Sequence, residues 1–152
     1  MKVLITGHRL FKLQNYSYDT IWIQRALSDV VIELKDLGVL TYGYSGMASG
    51  VDLWFCRELF VSGIPYAACV PFEEQSETMD KIEQDTRDTL LKHAATHLKV
   101  KNSYMVEKAD MGIVVWDGNK GGTHNVVQQL VEKKKDFVWI NPVSQVIWKC
   151  FK

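Results

Sequence analysis

A glycine-rich turn occurs twice in this chain, each time after an apolar run and before an amphipathic one. The first is Ser45-Gly46-Met47-Ala48-Ser49-Gly50-Val51-Asp52, and the second is Trp116-Asp117-Gly118-Asn119-Lys120-Gly121-Gly122-Thr123. A strand that stops at glycines and opens into a helix leaves free main-chain N–H groups at the positive end of the helix dipole. Such an end favours anions, phosphate above all. Two of them in one small domain point to strand–turn–helix units with a ligand held between the turns, a nucleotide or a phosphorylated sugar.

The rest of the chain continues the alternation. Val3-Leu4-Ile5 ends at Gly7 and reads as a central strand buried on both faces. From Tyr18 to Leu37 apolar residues recur at helical spacing (Ile21, Ala26, Val30, Leu34, Leu37), and Gly38 closes that helix. Val39 to Tyr44 reads as a strand, Val51 to Ser62 as a helix closed by Gly63, and Tyr66 to Val70 as a strand ended by Pro71. Glu73 to Ala95 has a helical pattern, Thr96 to Val100 a short strand, and Asn102 to Lys108 another helix. Met111 to Trp116 is a buried strand and Thr123 to Lys135 a helix with a basic end. Phe137 to Ile140 is expected to be the last strand, stopped by Asn141-Pro142 and followed by a short amphipathic tail, Val143 to Lys152. The expected fold class is α/β: a Rossmann-like, doubly wound, mostly parallel sheet with helices on both faces, one domain over residues 1–152.

Composition narrows the function. A chain of 152 residues buries a sizeable core without metal or disulfide staples. Lysine plus arginine and aspartate plus glutamate each number 18, so no basic surface for general nucleic-acid binding is expected. Cys56, Cys69 and Cys150 are scattered and form neither a disulfide framework nor a zinc pattern. They read as thiols of a reducing compartment, and a strand beginning at Lys2 leaves no signal peptide, so a cytoplasmic protein without membrane contact is expected. His93 and His97 have metal-binding spacing on an expected helix but lack a third ligand, so neither metal nor required cofactor is expected.

In a doubly wound sheet, ligands sit outside the carboxyl ends of the strands. Thr6-Gly7-His8-Arg9, the Ser45 turn, Pro71-Phe72 and the Trp116 turn all fall at such ends. The planar fork of Arg9 suits phosphate or carboxylate, or is simply solvated. His8 is a proton carrier, a hydrogen-bond donor or a structural histidine of its loop. Gly46 and Gly50 would let main chain approach a ligand. Asp52 either complements its helix N-terminus, accepts from a ribose hydroxyl or acts as a base. Asp117 is a ribose ligand or a turn-forming aspartate, and Thr123 caps the following helix or binds phosphate. The tryptophans read as core or interface.

Taken in order, these turns resemble the SLOG superfamily of Rossmann-like domains, which includes the LOG cytokinin-activating phosphoribohydrolases and the DNA-processing protein DprA. Within it they are most similar to the YpsA-like branch, which has phage-encoded members. The resemblance rests on Thr6-Gly7-His8-Arg9, Ser45 to Asp52, Pro71-Phe72-Glu73-Glu74-Gln75, Lys101 to Val106 with Ala109-Asp110, and Trp116-Asp117-Gly118 with Gly121-Gly122-Thr123. It implies a nucleotide-type ligand held by Gly7, His8, Arg9, Ser45, Gly46, Met47, Ala48, Gly50, Asp52, Pro71, Phe72 and Gln75. Asn102, Asp117, Gly118, Gly121, Gly122, Thr123 and Asn125 complete that set. Related folds often pair through helices, so a homodimer or higher homo-oligomer is expected. The hydrolase branch carries a glutamate in the pattern Gly-Thr-x-x-Glu, but here Thr123 is followed by His124, Asn125 and Val126. An amide such as Asn125 cannot replace a carboxylate base.

Three functions follow as expectations. The first is binding of a nucleotide or nucleotide-derived signal, as a sensor or sequestering protein. The second is N-glycoside hydrolysis or transfer, with Asp52, Glu58 or Asp117 serving at the sugar centre. The third is DprA-like binding of single-stranded DNA, which the neutral charge disfavours.

Overall fold

The computed structural model describes residues 1–150. Seven strands form one sheet: β1 (Lys2–Gly7), β2 (Tyr42–Ser45), β3 (Tyr66–Cys69), β4 (Thr96–Leu98), β5 (Met111–Val115), β6 (Asp136–Asn141) and β7 (Val146–Cys150). Their order across the sheet is β4-β3-β2-β1-β5-β6-β7. All neighbours are parallel except β6 and β7, which form an antiparallel pair. Six α-helices connect them: α1 (Leu10–Asn15), α2 (Thr20–Asp36), α3 (Val51–Ser62), α4 (Lys81–His93), α5 (Asn102–Lys108) and α6 (Gly122–Glu132). This is the single Rossmann-like α/β domain that the alternation implies.

The two-residue period of a strand sorts the core into two layers. Val3 and Ile5 of β1 face α2, α3 and α4, where Ile23, Leu27, Val31, Phe55, Leu59 and Leu90 are buried. Leu4 faces the other way, with Val114 of β5, and meets Met105 and Val106 of α5 and Val126 and Leu130 of α6. Buried on both sides, the central strands read as continuous apolar runs.

Several elements depart from expectation. The buried stripe of α2 is Ile23, Ala26, Leu27, Val30, Val31 and Leu34; Ile21 and Leu37 are exposed. A short helix, α1, follows Arg9. The polar middle section divides into a 3-10 helix, Glu73–Thr78, and α4, because Asp80 caps a new start by accepting the Glu83 N–H at 2.8 Å. β6, expected to be the last strand, is followed by another. Asn141 takes the N–H groups of Val143 and Ser144 on its side chain, turns the chain and starts β7. Phe151 and Lys152 lie outside the described residues. Cys56 and Cys69 are buried, and burial pushes their thiols up to about 12 and about 11; the Cys150 side chain lies outside the described residues. Among the described residues no helix is long and apolar enough to cross a membrane.

Close packing of α3 on β2 depends on one missing side chain. A Cβ at Gly43 would lie 2.2 Å from Leu59 Cδ1 and 3.1 Å from the Phe55 ring. Both neighbours are fully buried and have nowhere to go. Gly43→Ala is expected to lower the unfolding free energy by ~1–3 kcal/mol, read from the denaturation midpoint. An unchanged midpoint would show that α3 is not seated as described.

Candidate functional site

Strand order reverses between β1 and β5, and the loops leaving their carboxyl ends part there. Open α/β sheets hold ligands in that crevice. Here it is a cleft of about 660 Å³. The β1 end and α1 contribute Gly7, His8, Arg9, Phe11 and Lys12; the turn after β2 contributes Gly46, Ala48, Ser49 and Asp52. Pro71, Gln75, Thr78 and Asn102 form the far wall, and Asn119, Gly121, Gly122, Thr123 and His124 close the β5 side.

Of the residues marked in the sequence, Gly7, His8, Arg9, Gly46, Ala48, Asp52, Pro71, Gln75, Asn102, Gly121, Gly122 and Thr123 line this cleft. The others are placed elsewhere. Met47 is fully buried in the core. Ser45 is fully buried, accepting from the Met47 N–H at 3.1 Å and donating to the Asp52 carbonyl at 3.1 Å. Gly50 has φ +84°, and a Cβ there would lie 2.6 Å from the Leu10 nitrogen, so its glycine serves packing of the turn against the β1 loop. The Phe72 ring is solvent-exposed, Gly118 sits in a turn with φ +89°, and the Asn125 N–H is bonded to the Gly121 carbonyl. Glu58 accepts from Ser28 Oγ at 3.2 Å, joining α3 to α2 away from the cleft. Lining residues outside the marked set include Phe11 and Lys12 of α1, which at six residues is too short for a periodic signal, and Thr78, Asn119 and His124.

The two glycine turns differ chemically. The Ser45 turn is filled by the protein itself: Ala48 N–H donates to Asp52 Oδ2 at 3.3 Å, and Gly50 N–H donates to Glu83 Oε2 at 3.0 Å. Ser49 Oγ lies 2.7 and 2.9 Å from the two Glu83 oxygens and donates to them. The start of α6 is open. Its N-cap is Gly121, no side chain caps it, and its first turn carries no acid. Thr123, expected as the cap, is a buried residue inside the first turn. A Cβ at Gly122 would meet nothing within 4 Å.

Asp52 is the one acidic residue among the described lining residues. Burial pushes its carboxyl up to about 7, against the opposing Ala48 N–H and the Arg9 charge. Gln75 is held in place: Arg87 donates to its Oε1 from Nε and Nη2 at 3.3 and 3.2 Å, and its own amide donates to the Gly46 carbonyl at 2.7 Å.

Asp117 forms the clasp behind the cleft. Its buried carboxylate accepts from Tyr18 OH at 3.0 Å and from Asn119 N–H at 3.0 Å, and pairs with the Lys12 ammonium at 3.2 Å. Burial pushes this carboxyl up, but the Asn119 amide, the His8 charge where that ring is protonated, Tyr18 and Lys12 together outweigh it and hold it at about 2. A carboxylate so fully engaged is a turn-former, the structural alternative for Asp117. Its main-chain N–H donates to His8 Nε2 at 3.0 Å. Asp117 Oδ1 also lies 3.3 Å from that nitrogen, an ion pair only for a protonated ring. Burial pulls His8 below its ordinary value against the opposing Asp117 carboxylate, and the amide already occupies the Nε2 lone pair, so the ring is neutral at neutral pH. Among the described residues no three His, Cys, Asp or Glu side chains are placed to hold a metal; His93 ends α4 while His97 lies on β4.

The raised Asp52 carboxyl fixes a pH signature. A folded value above the unfolded one means the native chain holds a proton that the unfolded chain releases, so stability falls from about pH 4 to about pH 7. Asp52→Asn removes that dependence and leaves every other titration in place. The variant is expected to gain on the wild type across this window by a few kcal/mol at most, on the order of 1–4. Urea unfolding at both ends of the window measures it, and a constant difference between the two proteins would mean an ordinary, hydrated carboxyl.

No family model matches the chain. It is 26% identical over 156 aligned positions to a UPF0398 protein of Bacillus cereus, covering 88% of this chain and 84% of that one. UPF0398 protein YpsA of Bacillus subtilis is 25% identical over 158 positions, covering 90% and 87%. A UPF0398 protein of Halalkalibacterium halodurans is 25% identical over 158 positions, covering 89% and 82%. Similarity of this extent, over most of each chain, supports placing the chain with the YpsA-like proteins.

Proposed function

We propose that the cleft binds a nucleotide or nucleotide-derived ligand, as a sensor or sequestering protein within the SLOG superfamily. The observation that carries this reading is the open start of α6, where Gly121 and Gly122 present main chain to the cleft with no capping side chain. An uncapped helix start of this kind accommodates phosphate. Arg9 lines the same cleft and adds a planar cation. The Ser45 turn supplies the opposite pole. Asp52 and Glu83 occupy its amides, so it suits hydroxyl or amino donors rather than a second phosphate. A molecule with phosphate at one end and sugar hydroxyls at the other matches both poles.

The Asp52 carboxyl also favours a second reading, N-glycoside hydrolysis or transfer. Titrating at about 7, it holds or releases a proton near neutrality, as an acid–base group must. Against turnover, the hydrolase pattern places its glutamate at the position of Val126, which is buried between α6 and the sheet.

Adenosine monophosphate, ADP and ADP-ribose, screened by thermal shift and calorimetry with chromatography for free base, test both readings. Binding without base release is the expected outcome. Base release that disappears in Asp52→Asn would establish the second reading, and salt-sensitive retention of oligonucleotide without a small-ligand shift would favour the DprA-like one. Arg9→Ala should cost about 1.5–3 kcal/mol of binding, the worth of a charge-assisted phosphate contact. Gly122→Val should weaken binding with the fold retained, since its side chain would enter open cleft space. Unchanged affinity in both variants would place the ligand elsewhere.

A further inference from the structure

We propose that His8 is a fixed-tautomer donor: the Asp117 main-chain amide claims Nε2, so the imidazole proton sits on Nδ1 and is offered to an oxygen of the bound ligand. The identity of that oxygen rests on the nucleotide reading; the tautomer does not.

A main-chain N–H can only donate, so the 3.0 Å contact from Asp117 makes Nε2 an acceptor. A neutral imidazole has one N–H, which must then be on Nδ1. Protonating Nε2 would set one N–H against another and break that bond. The charged groups facing the ring are Asp117, which favours a second proton, and Lys12, which opposes it. Lys12, Tyr18 and the Asn119 amide already engage the Asp117 carboxylate, so it has little left to offer a cationic ring.

The other nitrogen is available. No group among the described residues accepts from Nδ1, and no buried side-chain N or O among them lacks a partner. Nδ1 is therefore not sealed from solvent, and His8 lines the cleft. This divides the work of the site. His8 cannot be a base, because one nitrogen is protonated and the other is engaged. Its single donor recognises an acceptor oxygen and rejects an N–H at the same place. Proton uptake from a ligand falls to Asp52, the one acidic residue among the described lining residues.

Nitrogen-15 histidine labelling of the ligand-free protein tests the tautomer directly, with His8 assigned by its loss in His8→Gln. Long-range proton–nitrogen spectra at about pH 7.5 should show a protonated Nδ1 and a bare Nε2. Adenosine monophosphate is then titrated into three proteins. His8→Gln keeps an oxygen for the Asp117 amide but has no donor at Nδ1, and should bind about three- to tenfold more weakly than wild type. His8→Asn places its amide nitrogen at that position and should recover part of the loss. An Nε2–H signal, or equal affinity in wild type and His8→Gln, overturns the proposal while leaving nucleotide binding intact. A wild type that binds neither adenosine monophosphate nor inorganic phosphate overturns the nucleotide reading and the ligand half of this one.

Discussion

The pairing of β1 with β5 is the constraint on which the site depends. The chain runs outward from β1 to β4, then returns to lay β5 against the other side of β1. The register brings Gly7 opposite Val115, so both strands end level and their loops leave side by side. Loops from neighbouring parallel strands diverge only if their helices go to opposite faces, and here they do: α2 packs on one face and α6 on the other. The cleft is the gap this divergence leaves. Asp117 then fixes its back wall. A buried carboxylate is tolerated only when its oxygens are fully hydrogen-bonded or paired. Meeting that demand ties α1 through Lys12 and the segment between α1 and α2 through Tyr18 to the loop after β5.

Two turns of similar composition end with opposite polarity, and the reason lies outside both. Glu83 reaches from α4 to the Ser49 hydroxyl and the Gly50 amide, and Asp52 folds back onto Ala48. Each carboxylate satisfies N–H groups that an anionic ligand would otherwise need. The α6 start has no such visitor. Glycine content therefore marks where main chain is accessible, while the nearby carboxylates decide which charge it can receive.

Much of this was legible in the sequence, and the gaps have physical causes. Strands such as Met111–Val115, apolar on both faces, announce a covered parallel sheet, and the glycines after β2 and before α6 mark the rim. The β7 strand was hidden because Val146, Ile147 and Trp148 are all partly exposed at the sheet edge, leaving no inside–outside alternation to read. Ile21 and Leu37 misled because α2 is apolar beyond its buried stripe. Within the site, local spacing found the loops but not the fillers. Glu83 lies 33 residues from the Gly50 amide it accepts from, and Asp117 lies 109 residues from the ring it orients. Neither distance carries a periodic signal.

The same long-range contacts bear on what chemistry the cleft supports. Catalysis at a sugar centre commonly divides work between two carboxyl groups, one to protonate and one to stabilise or activate. Asp117 is excluded from that work by its engagement with Tyr18, Asn119 and Lys12, and Glu58 by its place between α2 and α3. Glu83 is engaged with Ser49 and Gly50. Among the described lining residues Asp52 is left, and its burial keeps it partly protonated near neutrality rather than charged and ready to stabilise a cation. With no second acid among the described lining residues, a half-protonated carboxyl is better suited to recognising hydroxyl groups than to supporting an oxocarbenium-like centre. Of the two readings of the cleft, this electrostatic arrangement favours binding over turnover.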